Sequence, residues 1–209
     1  MHDPHRTRGL LARGACAASC IGLAALCLAA SLQKLWSADT WTLLSIGRWL
    51  VEHRAWPTVE EWTWSGAGHA WIELRWLFCI PMFLLFERVG DWAPSIAGAA
   101  LVGTAFGAIA LERRRTLSSP IAIAVLGLGL FAGVTRWVVR PELVTYMMTG
   151  AFLAILGRSA DGGARRARWS LIPLQIAWTN AHGMFVFGPV LTWVFAGAAS
   201  LRWVACRGG

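Results

Sequence analysis

Long apolar runs separated by short clusters of charged residues make up most of the chain. Several runs approach the roughly 20 residues that a helix needs to cross a bilayer. The pattern predicts an all-α protein, a polytopic bundle of transmembrane helices that forms one domain over 1–209. The predicted spans lie near 15–35, 93–111, 118–135, 141–157 and 183–201, with a short segment over 169–180 that rises into the membrane and turns at Asn180.

The apolar run over 76–86 is too short to be a span. About eleven residues of helix extend roughly 16 Å, about half of the roughly 30 Å hydrocarbon core, and Pro81 weakens the helix further. We therefore predict an interfacial or half-inserted helix inside a long outer loop over 36–92. A second interfacial helix is predicted earlier in this loop, where apolar residues recur at helical spacing from Trp41 to Leu50.

The distribution of charge favours the same topology. If 76–86 does not cross, the cytoplasmic pieces are 1–14, 112–117, 158–168 and 202–209. These pieces hold twelve of the nineteen Lys and Arg residues and three of the eleven acids, a net +9, while the rest of the chain sums to −1. Because basic residues concentrate on the cytoplasmic side of membrane proteins, we predict a cytoplasmic N-terminus.

Composition excludes several other classes of protein. Only 14% of the residues are charged, against roughly 25% in soluble domains. The net charge of +8 comes from arginines that flank apolar runs, so the predicted partner is the lipid bilayer and not nucleic acid. The five cysteines form no CxxC pair, and their spacing predicts neither disulfides nor a zinc site. No motif indicates a cofactor; a divalent metal is conceivable but has no support in the sequence.

Eight of the fourteen tryptophans lie between Trp36 and Trp76, in the predicted outer loop. Indole rings favour the membrane–water interface, where the ring body and the polar N–H are both satisfied. Within this loop Asp39 comes directly after the first predicted span. A carboxylate there could take a proton from an acceptor hydroxyl or hold a metal; the alternative is a solvated helix cap.

The outer turns carry further candidate residues. Arg136 and Arg140 could bind a lipid phosphate, or could instead extend to the interface or pair with Glu142. Asn180 and His182 interrupt an apolar stretch, where polar groups either line a cavity or pair with each other.

Two more expectations concern the loop and the helix packing. Glu73 and Arg75 are expected to balance each other or to contact a substrate, while Glu60 and Glu61 are expected to be solvated. The Gly103-x-x-x-Gly107 pattern predicts a close contact between helices.

Five short motifs occur in an order that resembles the GT-C superfamily of membrane glycosyltransferases, which includes protein mannosyltransferase-like and aminoarabinose transferase-like enzymes. The chain resembles their N-terminal portion. The motifs are Asp39-Thr-Trp41, Gly47-Arg48-Trp-Leu, Pro57, Arg140-Pro141-Glu142-Leu and Trp178-Thr-Asn180-Ala-His182-Gly183-Met-Phe185.

The resemblance implies transfer of a sugar from a polyprenyl-phosphate donor on the outer face of a bacterial plasma membrane. Asp39 would match the acid of the first loop that acts as base or positions the acceptor. Arg140 would be the candidate for the donor phosphate, and Arg48 lies in another shared motif.

The chain also departs from the family pattern. Leu43 stands where relatives often have a histidine, Glu60 where they often have an aspartate, and Arg75 where an acid is common. These departures favour an alternative function, that of a non-catalytic membrane protein with the same fold that binds lipid or assists assembly.

Overall fold

The computed structural model describes residues 37–112, 120–160 and 165–207, together with Gly22 and Ala29, which are both helical. Every regular element in these residues is a helix, and an isolated antiparallel bridge joins Val59 to Ala70. The helices are α1 (Ala38–His53), α2 (Trp76–Val89), α3 (Trp92–Glu112), α4 (Pro120–Ala132), α5 (Glu142–Ala160), α6 (Leu171–Thr179) and α7 (Phe187–Arg207), with 3-10 turns at Val134–Arg136, Arg165–Ser170 and Gly183–Val186.

The two helices predicted in the outer loop are present as α1 and α2. Asp39 occupies the first turn of α1, where a negative charge complements the helix dipole. α1 ends at Arg54, whose left-handed φ of 52° lets its N–H donate to the Leu50 carbonyl. Pro81 lies inside α2 without ending it, and α2 stops before Gly90, whose φ is 117°.

α1 and α2 cross at a glycine. A Cβ on Gly47 would overlap the backbone carbonyl of Cys79 and would lie 2.8 Å from the Cβ of Phe83. Ile46 and Cys79 are fully buried at this crossing. They belong to the main hydrophobic core, which continues onto α5 and α6 through residues such as Met148, Phe152 and Trp178.

A second crossing joins α3 to α5. A Cβ on Gly150 would lie 2.7 Å from the carbonyl oxygen of Ala105. By contrast, no described atom lies within 4 Å of a Cβ added to Gly103 or Gly107. Among the described helices these two glycines therefore do not mediate the packing of α3, because they lie on another face of α3 than Ala105.

Three of the described helical segments are long and apolar enough to cross a membrane: Trp92–Ile109, Glu142–Ala160 and Gly183–Arg207. This finding indicates a helical membrane protein. α6 has nine residues and extends only about 14 Å, as expected of a short segment. The predicted span over 15–35 lies outside the described residues, apart from Gly22 and Ala29.

Candidate functional site

Asp39 and Arg140, the two residues with the sharpest expected roles, are in contact. A guanidinium Nη2 of Arg140 lies 3.0 Å from a carboxylate oxygen of Asp39. Arg140 also donates two hydrogen bonds, at 3.2 and 2.9 Å, to the Ser37 hydroxyl. Beside this pair, the buried Thr40 hydroxyl donates to the Val139 carbonyl over 2.9 Å. The start of α1 is thereby attached to the turn that precedes α5.

The pair is accessible. The side chain of Asp39 is 64% exposed and that of Arg140 is 33% exposed. A ligand could therefore reach both charges without any rearrangement of the core.

Arg75 forms a second, more buried ion pair beside the first. Its Nε and Nη2 donate to the two carboxylate oxygens of Glu73, each over 2.9 Å, and its backbone N–H donates to Glu73 over 2.7 Å. The Glu73 side chain is fully buried. Burial alone would lower the pKa of Arg75, but the hydrogen bonds and charge of Glu73 raise it, and Asp39 adds to this effect. Arg75 is therefore a fixed cation within electrostatic range of Asp39.

Asn180 serves as a structural connector. Its side-chain oxygen accepts a 2.9 Å hydrogen bond from the Trp76 indole, and its backbone carbonyl accepts one from the Leu77 N–H over 3.0 Å. Its amide group donates to the Ile176 carbonyl over 2.8 Å. Asn180 thus caps the first turn of α2, where N–H groups lack partners within the helix.

His182 belongs to a hydrogen-bonded chain that enters the core. The indole N–H of the fully buried Trp178 donates to the Thr145 hydroxyl over 3.0 Å, and that hydroxyl lies 2.7 Å from Nδ1 of His182. An indole nitrogen can only donate, so the Thr145 oxygen accepts this bond and its hydrogen is free to be donated, for which Nδ1 of a neutral imidazole is a suitable acceptor. Burial lowers the pKa of His182, so the neutral form is favoured.

Of the remaining predicted residues, Glu142 lies near His182, whereas Arg136 and Arg48 make no hydrogen bond or ion pair with the residues described above. Glu142 lies in the first turn of α5. Its negative charge raises the pKa of His182, whereas the positive charge of Arg75 lowers it. Glu142 and Arg75 therefore both lie within electrostatic range of His182. Arg136 is exposed, and its side chain makes no hydrogen bond or ion pair with another described residue. Arg48 pairs with Glu52 over 2.7 Å. Because Arg48 comes nine residues after Asp39, it lies roughly 13 Å further along α1 and on the opposite face of the helix.

Asp39, Arg75, Arg140, Glu142 and His182 lie at the end of the bundle that the charge distribution predicts to face outward, and we call them the outer polar cluster. Arg140 contacts Asp39, Arg75 lies within electrostatic range of both Asp39 and His182, and Glu142 lies within electrostatic range of His182. This set can bind a phosphate through its guanidinium groups and can accept a proton through a carboxylate. Among the described residues, no group of three or more His, Cys, Asp or Glu side chains could hold a metal ion.

Glu60 differs from the sequence prediction. It is buried and accepts hydrogen bonds from the backbone N–H groups of Trp62 and Thr63, each over 2.9 Å, and from the Thr63 hydroxyl. The expectation of a solvated Glu60 was therefore wrong, since the loop folds around this carboxylate. The Thr63 hydroxyl is the main cause that lowers the pKa of Glu60, with burial opposing it. Glu61 is exposed, as expected.

Sequence reasoning also missed Ser37 and Thr145, which hold Arg140 and His182 in place. Ser37 directly precedes α1, a position at which serine commonly caps a helix; here its hydroxyl binds Arg140 and makes no cap hydrogen bond. Thr145 lies inside an apolar span, where an isolated hydroxyl signals a buried hydrogen bond.

No protein-family model matches this chain, and no curated protein or solved structure matches it either.

Proposed function

We propose that the protein is a membrane glycosyltransferase that transfers a sugar from a polyprenyl-phosphate donor to an acceptor hydroxyl. The proposal extends the resemblance to the GT-C superfamily, and the contact between Asp39 and Arg140 carries it. The enzyme would lie in a bacterial plasma membrane as a multi-pass protein with a cytoplasmic N-terminus. Its outer polar cluster would then face the outside of the cell.

In this proposal, Arg140 binds the donor phosphate. The accessible guanidinium exchanges its contact with Asp39 for two oxygens of the phosphate, which it can hold with two parallel hydrogen bonds. Arg75 adds a second positive charge that its pairing with Glu73 keeps in place. Both charges stabilise the phosphate more strongly as negative charge grows on the leaving group.

Asp39, released from Arg140 by the phosphate, acts as the general base. The acceptor oxygen attacks the anomeric carbon of the sugar while the bond from that carbon to the phosphate oxygen breaks. The acceptor proton moves to Asp39, and polyprenyl phosphate leaves with the bonding electrons. One displacement of this kind inverts the configuration of the sugar. Neutral His182 and Glu142 would orient sugar hydroxyls, as donor and acceptor respectively.

A second function has specific support. Asn180 and Glu73, two residues expected to contact substrate, have their hydrogen-bonding groups satisfied within the protein. Asp39 and Arg140 likewise neutralise each other. The same geometry therefore suits a non-catalytic membrane protein of this architecture, in which the outer polar cluster only joins α1, α2 and α5.

The deciding experiment is native mass spectrometry of the detergent-purified chain with added undecaprenyl phosphate. We would compare the wild type with Arg140→Ala, and use Arg48→Ala as the matched control, because Arg48 lies on the opposite face of α1. The proposal expects retention by the wild type and the control, and loss of at least roughly tenfold in affinity for Arg140→Ala, the size expected for one charge-assisted contact.

Equal retention by all three proteins would remove Arg140 from the phosphate site. No retention by a folded wild type would favour the non-catalytic function. If the lipid is retained, Asp39→Asn tests the base: it should preserve binding of the lipid but abolish transfer when sugar-loaded donors are screened.

A further inference from the structure

A large groove opens at the end of the bundle opposite the outer polar cluster. It has a volume of about 910 Å³ and is bordered by α5, the start of α6 and the middle of α7. Its polar end contains Ser159 and Arg168. Ser159 is seventeen residues from Glu142, which places this end roughly 25 Å along α5 from the outer polar cluster. The groove is therefore separate from the site proposed above.

The wall of the groove is mainly apolar. Phe152, Leu156, Ile172, Ile176 and Trp193 line it. The side chains of Ile172, Ile176 and Trp193 are more than half exposed. An apolar wall of this size matches the pockets that bind small molecules, which are roughly 300–1,000 Å³.

The polar end of the groove carries an unmet hydrogen-bonding group. Ser159 is buried, and its hydroxyl has no hydrogen-bond partner in the part of the chain that the structure describes. Buried hydroxyl groups are normally paired, so the Ser159 hydroxyl, which has almost no exposed surface of its own, is expected to gain a partner from a molecule bound against it. Next to it, Arg168 donates one hydrogen bond to the Ser159 carbonyl over 3.1 Å. A guanidinium has five N–H donors, so Arg168 can bind a ligand at the same time.

The charge at this end favours an anion. Residues 158–209 include six arginines and a single acid, Asp161. An apolar wall that ends in a cationic group and a free hydroxyl complements an amphiphile with an acyl chain and a negative headgroup. It does not complement the flank of another apolar helix, which would leave Arg168 and the Ser159 hydroxyl without partners.

We propose that the groove binds one molecule of an anionic glycerophospholipid from the leaflet at the arginine-rich end. One acyl chain lies along Ile172, Ile176 and Trp193. The phosphate contacts Arg168, and the Ser159 hydroxyl donates to an ester oxygen of the lipid. The inference does not depend on glycosyl transfer, because it uses neither Asp39 nor Arg140.

The test is native mass spectrometry of the full chain, titrated with phosphatidylglycerol and, separately, with phosphatidylcholine. Arg168→Gln removes the charge, and Arg166→Gln is its control in the same turn, since Arg166 is exposed and does not line the groove. Ala196→Trp fills the groove, and Val194→Trp places the same ring on α7 outside it.

We expect one tightly held phosphatidylglycerol per wild-type chain. Arg168→Gln should weaken this binding at least roughly tenfold, Ala196→Trp should abolish it, and the two controls should bind as the wild type does. Phosphatidylcholine should bind more weakly than phosphatidylglycerol. Equal losses in Arg168→Gln and Arg166→Gln, or equal binding by the two tryptophan variants, would overturn the proposal. So would a wild-type dimer that Ala196→Trp dissociates, because a second copy would then occupy the groove.

A cross-linking experiment covers the case in which Ala196→Trp fails to fold. Phosphatidylglycerol with a photoreactive acyl chain is bound to the wild type and irradiated, and the labelled peptides are sequenced by mass spectrometry. Labels concentrated on Ile172, Ile176 and Trp193 support the groove. Labels spread evenly over these residues and Val204, which is exposed elsewhere on α7, contradict it.

Discussion

Helices α5 and α7 both have the length and apolarity of membrane spans, but their surroundings differ. Half of the residues in α5 are buried inside the protein, compared with 6% of those in the segment that contains α7. α5 contacts α3, α6 and α7, whereas the outer side of α7 exposes residues such as Trp193 and Leu201. Since both surfaces are apolar, hydropathy alone does not distinguish a helix that packs against protein from one that faces lipid.

The comparison extends to the polar groups. Around α1, α2 and the start of α5, several described polar side chains pair with one another, as Glu73 does with Arg75 and Asn180 with Trp76. The buried indole N–H of Trp71, in the loop between α1 and α2, is an exception. Around the far ends of α5 and α7, the Ser159 hydroxyl has no described partner. We call the first region the closed end and the second the open end. The closed end should depend on its own packing, and the open end on lipid.

The largest expected effect is at the crossing of α1 and α2. Gly47→Leu forces a side chain into the Cys79 backbone, which cannot move aside as a side chain would. We expect a loss of about 3 kcal/mol in the free energy of unfolding, at the upper end for overpacking. Thermal unfolding in detergent, followed by circular dichroism, measures it.

Gly103→Leu is the matched control for that variant, because an added Cβ at Gly103 meets no described atom within 4 Å. We expect no loss of stability, since leucine is also the better helix former. Similar losses at Gly47 and Gly103 would mean that the closed end is not closely packed.

The next largest effect is expected at the buried hydroxyl of Thr145. Thr145→Val keeps the shape of the side chain but leaves the Trp178 indole N–H without its acceptor. An unpaired buried donor costs about 1–3 kcal/mol, which the same unfolding measurement would detect. Thr104→Val is the control, because the exposed Thr104 hydroxyl, as far as the described residues show, binds only the Ala100 carbonyl of its own helix. If Thr145→Val left the free energy of unfolding unchanged, the hydrogen-bonded chain from Trp178 to His182 would not contribute to stability.

A local effect is expected in the loop around Glu60. The pKa of this carboxyl is lower in the folded loop than in an exposed glutamate, so its charged form stabilises the loop. This contribution is complete above the unfolded-state value of about 4.3 and is lost as the pH falls through the lower folded-state pKa. Hydrogen exchange of the amides of Trp62 and Thr63 should show their protection fall with acidification.

In the Glu60→Gln variant these amides should exchange faster at neutral pH. Their protection should also change little with acidification, because glutamine has no carboxyl group to protonate. Glu61→Gln should behave as the wild type does, because Glu61 is exposed. If Glu60→Gln kept the full protection and pH response of the wild type, the loop would not be organised by the Glu60 charge.

The smallest expected effect is that of the pair between Asp39 and Arg140 on stability. Both side chains are more than 30% exposed, and exposed ion pairs contribute about 0–1 kcal/mol. A double-mutant cycle with Asp39→Asn and Arg140→Gln should give a coupling in this range that decreases with salt. A coupling above roughly 2 kcal/mol would assign the pair a structural role and favour the non-catalytic function.

Hydrophobic patterning predicted an all-helical membrane protein. The structure confirms the helical class for the described residues, and three of their helical segments are long and apolar enough to cross a membrane. The short run over 76–86 also forms a helix, which continues to Val89. The pattern could not identify the glycine at a helix crossing. Gly47 and Gly150 lie at crossings, while Gly103 and Gly107 lie at none between the described helices, because glycine spacing does not specify which face of a helix meets a neighbour.

For the candidate site, the sequence predicted that Asp39, Arg140 and His182 face the same side of the membrane. It did not predict their partners. Burial of a charged or polar side chain depends on donors that tertiary structure brings close, such as the two backbone N–H groups that bind Glu60. The contact between Asn180 and Trp76 joins residues 104 positions apart, and no local pattern encodes it.

That long-range contact also sets the order in which the chain can complete its fold during synthesis. At roughly 5–20 residues per second, the ribosome adds Asn180 about 5–20 s after Trp76. During this interval the amides at the start of α2 lack their cap, and the Trp76 indole lacks its acceptor. A nascent chain that stalls before Asn180 therefore leaves the Leu77 N–H and the Trp76 indole N–H without the partners that the completed fold gives them.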